Sequence, residues 1–197
     1  DWSSDVCSSD LLLDPYFSGT KLHWLLKNVP QAKELAKAGK IAFGTIESYL
    51  LYRMTGGTHR TEPSNASRTM LMDLKTCQWD DDLLKLFQIP KQILPEIVSN
   101  DTEFGKTKGF PGLPDGIPIT GMIGDQQSAL FGQACFEKGT AKCTYGTGAF
   151  ALVNTGTAPI FSKNRLLTTV AWKFGNKTFY GIEGSANRKS TRLNSSH

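Results

Sequence analysis

An α/β fold in two parts is predicted for this chain of 197 residues, and three observations predict it. Between residues 20 and 87 apolar residues recur at the three- and four-residue spacing of helices. From Ala141 onward the pattern changes to short apolar and β-branched runs parted by glycine turns, the spacing of strands. Between them, from Pro90 to Pro118, prolines and glycines dominate, which reads as connections over a surface. A helical half followed by a strand meander places a boundary near Gly132–Gly139.

The elements follow in order. Thr20–Asn28 carries Leu22, Leu25 and Leu26 ahead of Val29, a helical stripe. Pro30 can open a second helix, where its missing N–H costs nothing, and Gly39 can close it. Thr45–Met54 carries Ile46, Tyr49, Leu50 and Met54, with Gly56 and Gly57 as a stop. Asn65–Asp73 reads as a turn and then a short strand. Asp80 can cap a helix over Asp81–Phe87 that turns Leu83, Leu84 and Phe87 to one face. An apolar run (Ile117, Ile119, Met122, Ile123) leads to Asp125, where a short helix follows. Strands are predicted at Ala141–Tyr145, Ala149–Asn154, Leu166–Phe174 and Lys177–Glu183, joined at Gly146–Gly148, Thr155–Ala158 and Gly175-Asn176.

The two ends stand apart. One short DNA string, read on its two strands, encodes DWSSDVCSSDL at residues 1–11 and RKSTRLNSS at Arg188–Ser196. Residues 1–11 and 187–197 therefore read as translated sequencing-library adapter, and no structure is expected of them. Setting aside Asp1, Asp5 and Asp10 with Arg188, Lys189 and Arg192 leaves the net charge at +4. That charge is spread along the chain with no Lys/Arg block, so nucleic acid is not indicated. No apolar run approaches the ~20 residues of a membrane span. Cys77, Cys135 and Cys143 are widely spaced, with no CxxC pair, which argues against structural zinc and a disulfide framework.

Read by themselves, the motifs leave alternatives open. Asp125 in Gly124-Asp125-Gln126-Gln127 is a helix N-cap or an isolated catalytic carboxylate. Gly146-Thr147-Gly148 is an ordinary hairpin turn or a place where backbone can approach a phosphate closely. The segment Tyr16–Asn28 is a capped amphipathic helix, and Phe150 is a core aromatic. Gln126 offers both a donor and an acceptor to a neighbouring hydroxyl.

Three stretches carry a resemblance: Tyr16-Phe-Ser-Gly-Thr-Lys-Leu-His-Trp-Leu-Leu-Lys-Asn28, Gly124-Asp-Gln-Gln-Ser-Ala-Leu-Phe-Gly-Gln133, and Thr144-Tyr-Gly-Thr-Gly148. Together they resemble the glycerol kinase branch of the carbohydrate kinase family, within the actin-like ATPase superfamily. The resemblance implies a ribonuclease-H-like α/β fold of two lobes, here truncated. Residues 12–133 would be the C-terminal part of the first domain and residues 140–186 the start of the second. It implies ATP-dependent phosphorylation of glycerol to glycerol 3-phosphate, with Asp125 as general base. Tyr16, Asp125, Gln126 and Phe150 would face glycerol; Gly146, Thr147 and Gly148 would face the nucleotide phosphates. Gln127 would be a structural neighbour. Mg²⁺ is implied beside ATP, with its ligand upstream of Leu12, as are a cytoplasmic location and a homo-oligomer at full length. The segment by itself is expected to be inactive, because the first phosphate hairpin and the adenosine pocket lie outside it.

Two departures from the family pattern stand out. Thr61-Glu62-Pro63-Ser64 replaces a Thr-Asp pair followed by a non-proline residue, which would alter a contact behind the site. Lys108–Gly116 lacks the Gly-Gly-Thr-Arg loop that some bacterial members use for fructose 1,6-bisphosphate. Other readings are a kinase for another polyol or ketose, and a non-catalytic actin-like nucleotide-binding module.

Overall fold

Leu22 and Leu26, four residues apart, turn one face of α1 (Ser18–Asn28) into a cluster with Leu71, Leu84, Phe87 and Ile93. The computed structural model describes residues 16–146, 148–164 and 166–187. Of the two stretches read as adapter, all but Asn187 lie outside the described residues. α2 (Ala32–Lys37) begins two residues after Pro30 rather than at it, because Gln31 takes a left-handed φ of 62° and turns the chain first. Gly39, at φ 65°, ends it as expected.

α3 (Ile46–Thr55) stops at Gly56, whose left-handed φ of 71° lets its amide bond the Tyr52 carbonyl. The helix forms where the apolar spacing predicts it, but the apolar residues that mark it are not its inward face. Ser48, Leu51 and Thr55 are buried, while Ile46, Tyr49 and Leu50 are exposed. The buried hydroxyls are satisfied locally: Thr55 Oγ1 donates to the Leu51 carbonyl at 2.7 Å and Ser48 Oγ to Glu47 Oε1 at 3.1 Å. Bonded hydroxyls enter a core at little cost, so apolar spacing alone selected the wrong stripe.

Next come β1 (Arg60–Thr61), α4 (Pro63–Ala66), the hairpin β2 (Met72–Asp73) and β3 (Gln78–Trp79), and α5 (Asp81–Leu86). The turn expected at Asn65 is the end of a one-turn helix that Pro63 starts at its first position. Asp80 caps α5 as predicted, its Oδ1 accepting from the amides of Asp82 and Leu83 at 2.9 and 3.0 Å. β4 (Glu96–Ile97) lies parallel to β1, and β5 (Gly105–Lys106) pairs antiparallel with β6 (Pro118–Ile119). The proline- and glycine-rich stretch is therefore not wholly superficial, and Phe104 within it is fully buried.

α6 (Asp125–Gly132) precedes the antiparallel sheet of β7 (Ala141–Tyr145), β8 (Gly148–Gly156), β9 (Leu167–Phe174) and β10 (Lys177–Asn187). Its order is β7-β8-β10-β9, not the expected meander. The connection between β8 and β9 is long enough for β9 to land one strand away. The tight turn at Gly175-Asn176 then folds β10 back into the gap, where Lys177–Glu183 pair with β9 and Tyr180–Asn187 with β8. Asn187, assigned above to the tail, closes that ladder opposite Gly148.

The sheet packs directly on the helical half. Ala66, Met72, Leu74 and Cys77 cluster with Val170 and Tyr180. Leu130 and Cys135 cluster with Leu152, Ala171 and Trp172. Phe131 meets Trp172 and Phe174 edge-on, with ring centroids 5.4 and 5.8 Å apart. Burying a side chain such as Leu130 contributes about 1.5–3 kcal/mol. These contacts fix where the head of α6 points.

Candidate active site

The head of α6 is held from behind. Gly124 is its N-cap and Asp125 its first helical residue, which corrects the reading of Asp125 as the cap. A Cβ at position 124 would stand 2.7 Å from Oε1 of the buried Gln127, so a side chain there would press on that amide. Asp125 is exposed, and its Oδ1 accepts from the Gln126 amide at 2.7 Å. A carboxylate in the first turn of a helix is favoured by the orphan amides around it. Gln127 points the other way. It is buried, and its Nε2 donates to Thr169 Oγ1 and the Val170 carbonyl, each at 3.3 Å, which ties α6 to β9.

Beneath this turn lies Glu62, fully buried. Its carboxylate caps α4, accepting from the amides of Ser64 and Asn65 at 2.6 and 2.9 Å. It also accepts from Ser64 Oγ at 2.7 Å, from Asn65 Nδ2 at 2.6 Å, and from Asn100 Nδ2. Burial pushes its carboxyl above the usual range, and the donors oppose that push. Ser64 Oγ in turn accepts from the Gly124 amide at 2.8 Å. Asn100 donates to the Met122 carbonyl at 2.7 Å and accepts from the Lys173 amide at 2.7 Å. The departure flagged at Glu62-Pro63-Ser64 is thus the floor under residues 122–125.

Facing the head of α6 is the first strand of the sheet. Lys142 points inward from β7, 2% exposed. Its ammonium donates to Gln126 Oε1 and, at 2.8 Å, to Thr144 Oγ1. Burial pulls the ammonium down from its usual range, with the charges of Glu183 and Asp125 opposing. Glu183 forms an ion pair with Arg68, so β10 is joined to the segment after α4. Lys142, Asn100 and the Arg68–Glu183 pair escaped the sequence reading, and Ser64 entered it only within the Thr61–Ser64 departure. The one visible signal was a lysine at the inward position of an alternating strand.

The remaining candidates are less closely gathered. Thr144 pairs in register with Phe150, and Lys142 with Leu152, so the half-buried Phe150 shares the Lys142 face of the sheet. Gly146 is exposed and open, with nothing within 4 Å of where a Cβ would stand. Its amide is spent inside the turn, donating to the Gly148 carbonyl at 2.9 Å. Thr147 lies outside the described residues. Tyr16 sits before α1, 58% exposed, its ring edge-on to Phe17 at 5.3 Å. The Gly19 amide donates to the Thr69 carbonyl at 2.8 Å, which brings the start of α1 beside the segment after α4. Among the described residues no group of three His, Cys, Asp or Glu side chains could hold a metal ion. No helix among them is long and apolar enough to cross a membrane.

An exposed carboxylate with an amide beside it and a buried lysine against that amide can bind the hydroxyls of a small molecule, and the strand that carries the lysine runs on into an exposed glycine. Known proteins with this sequence and shape fit that chemistry. The chain is 58% identical over 183 residues to a glycerol kinase of Bdellovibrio bacteriovorus, covering 92% of this chain and 37% of that protein. It is 57% identical to a glycerol kinase of Alkalilimnicola ehrlichii, covering 89% and 35%. The chain thus spans about a third of the length of the curated relatives it matches. Plasmodium falciparum glycerol kinase, solved with ADP, superposes with a TM-score of 0.90 at 42% identity, over 96% of this chain and 38% of that one. A gluconate kinase from Lactobacillus acidophilus shares the fold, with a TM-score of 0.79 at 21% identity over 92% of this chain and 36% of that one. The fold is the α/β actin-like ATPase fold of these kinases. The FGGY family of carbohydrate kinases, N-terminal domain, matches residues 7–132, and the chain belongs to that family.

Proposed function

We propose that this chain is a segment of an ATP-dependent glycerol kinase in which Asp125 is the general base. The observation that carries the reading is the placement of Asp125. It is an exposed carboxylate at the head of a helix, with Gln126 beside it and the Glu62–Ser64 floor holding its turn in place. A primary hydroxyl is a weak nucleophile near neutral pH. Asp125 takes its proton as the oxygen bonds the γ-phosphorus and the bond from that phosphorus to the ADP oxygen breaks. Gln126 holds a second hydroxyl, Phe150 walls the carbon chain, and Tyr16 donates to a glycerol oxygen. On this reading residues 12–133 belong to the first domain and 140–186 open the second, so the two meet where Lys142 of β7 reaches Gln126 of α6. The identity to glycerol kinases over most of the chain supports glycerol as acceptor.

ATP is assigned to the exposed turn at Gly146, where nothing but the neighbouring residues of the chain lies within 4 Å of where a Cβ would stand. Thr147 and Gly148 supply contacts from that turn. Magnesium, expected with the nucleotide, finds no ligand set among the described residues. The same reading assigns the full-length enzyme to the cytoplasm as a homo-oligomer.

The test is Asp125→Asn in the complete reading frame, with melting and steady-state kinetics on one preparation. The fold should survive with a change of about 1 kcal/mol or less, the worth of a carboxylate in a helix's first turn, and kcat should fall ~10²-fold or more. A folded variant keeping more than about a third of the wild-type kcat refutes the assignment.

A further inference from the structure

A buried lysine on an inward strand position calls for an explanation. β7 alternates in the usual way, and the residue paired with Lys142 across the sheet is the fully buried Leu152. An apolar side chain would fill that position with no charge to desolvate. Lys142 instead brings its ammonium through the packed layer to two oxygens, Gln126 Oε1 on α6 and Thr144 Oγ1 on its own strand.

An ammonium group has three donors and no acceptor, so only the oxygen of the Gln126 amide can meet it. That contact fixes which end of the amide faces which way. The NH₂ end is left on the side of Asp125, with Nε2 standing 3.4 Å from Asp125 Oδ2. We propose that Lys142 is a positioning residue for the acceptor: it locks Gln126 as a hydrogen-bond donor toward a non-reacting hydroxyl of a polyol. The residue beside the base then donates while the base accepts. An acceptor is recognised by one hydroxyl that gives up its proton to Asp125 and a neighbouring one that receives a proton from Gln126. Through Thr144 the same ammonium ties this arrangement to the strand that leads into the Gly146–Gly148 turn. The acceptor pocket and that turn are thereby kept in register.

The inference rests on the glycerol kinase reading, and the test separates the two. In the complete enzyme, wild type, Lys142→Met, Lys142→Arg, Gln126→Ala and the Lys142→Met/Gln126→Ala double variant are compared. The acceptors are glycerol and the two propanediols that each lack one hydroxyl. Lys142→Met should raise the KM for glycerol about 10-fold or more, the order of one lost hydrogen bond, with a smaller change in the KM for ATP. It should also reduce the preference for glycerol over one of the propanediols by a similar factor. Lys142→Arg, which keeps a donor toward Oε1, should recover part of that preference. The double variant should be no worse in acceptor preference than Gln126→Ala alone, because the lysine acts through the glutamine. If Lys142→Met keeps the wild-type preference, or the two effects simply multiply, the lysine is structural and the proposal fails. If wild-type protein shows no glycerol-dependent ADP release, the functional reading itself fails, and this proposal with it.

Discussion

Replacing Glu62 by alanine should loosen the base of the site without touching a residue that faces substrate. The carboxylate has no solvent exposure and accepts from Ser64, Asn65 and Asn100, two of these donors being first-turn amides of α4. Losing a side-chain cap costs about 1–2 kcal/mol. Each buried donor left without a partner costs about 1–3 kcal/mol more. Asn100 Nδ2 keeps the Met122 carbonyl, so it is not orphaned. Relief from holding a buried carboxylate gives part of the loss back. A net destabilisation of about 3 kcal/mol is expected. The assay is urea unfolding of the complete protein combined with hydrogen exchange at the Gly124 amide, which is bonded to Ser64 Oγ. Freed of Glu62, Ser64 Oγ can rotate, and exchange at Gly124 should speed up beyond the change in global stability. A loss below about 1 kcal/mol with Gly124 protection unchanged would refute the view that Glu62 is the floor of the α6 turn.

Glu62 also predicts a pH dependence. Burial holds its carboxyl above the ordinary value of 4.5, so above that pH the folded protein keeps a proton that the unfolded chain has released. The stability it contributes is fully present below pH 4.5 and is lost as pH rises through the folded value. Comparing melting against pH for wild type and Glu62→Gln checks this; a wild-type slope that Gln leaves intact assigns it to another group. Gly19→Ala would set a Cβ 2.7 Å from the Thr69 carbonyl oxygen, a backbone atom that cannot swing away. It should cost about 1–3 kcal/mol, and an unchanged melting temperature would mean that α1 does not press on this segment.

Much of the local structure was legible because it is decided locally. Asp80 caps α5 because a short carboxylate reaches amides two and three residues on, wherever the helix sits. Gly39 and Gly56 end α2 and α3 because a left-handed residue after a helix favours glycine in any fold. The strands were found where alternation and glycine turns marked them, and the position of Asp125 at the head of a helix was found from the apolar run before it.

What failed depended on partners distant in the chain. The exposed face of α3 looked like the core face because Ile46, Tyr49 and Leu50 are apolar. Burial goes instead to Ser48, Leu51 and Thr55, whose hydroxyls are bonded within the element. The meander failed because strand order depends on where a long connection lands, and β10 filled the place beside β8.

By itself, the sequence determined most of the longer helices and the four strands of the main sheet, the cap at Asp80, and several of the turns, since these rest on short-range geometry and on residue patterns. The tertiary structure alone decided which of those residues meet. Glu62 reached Gly124 through Ser64, and Lys142 reached Gln126 across the gap between sheet and helix. A buried charge is tolerated only where the fold brings it several partners at once, and those partners come from segments that the linear chain keeps far apart.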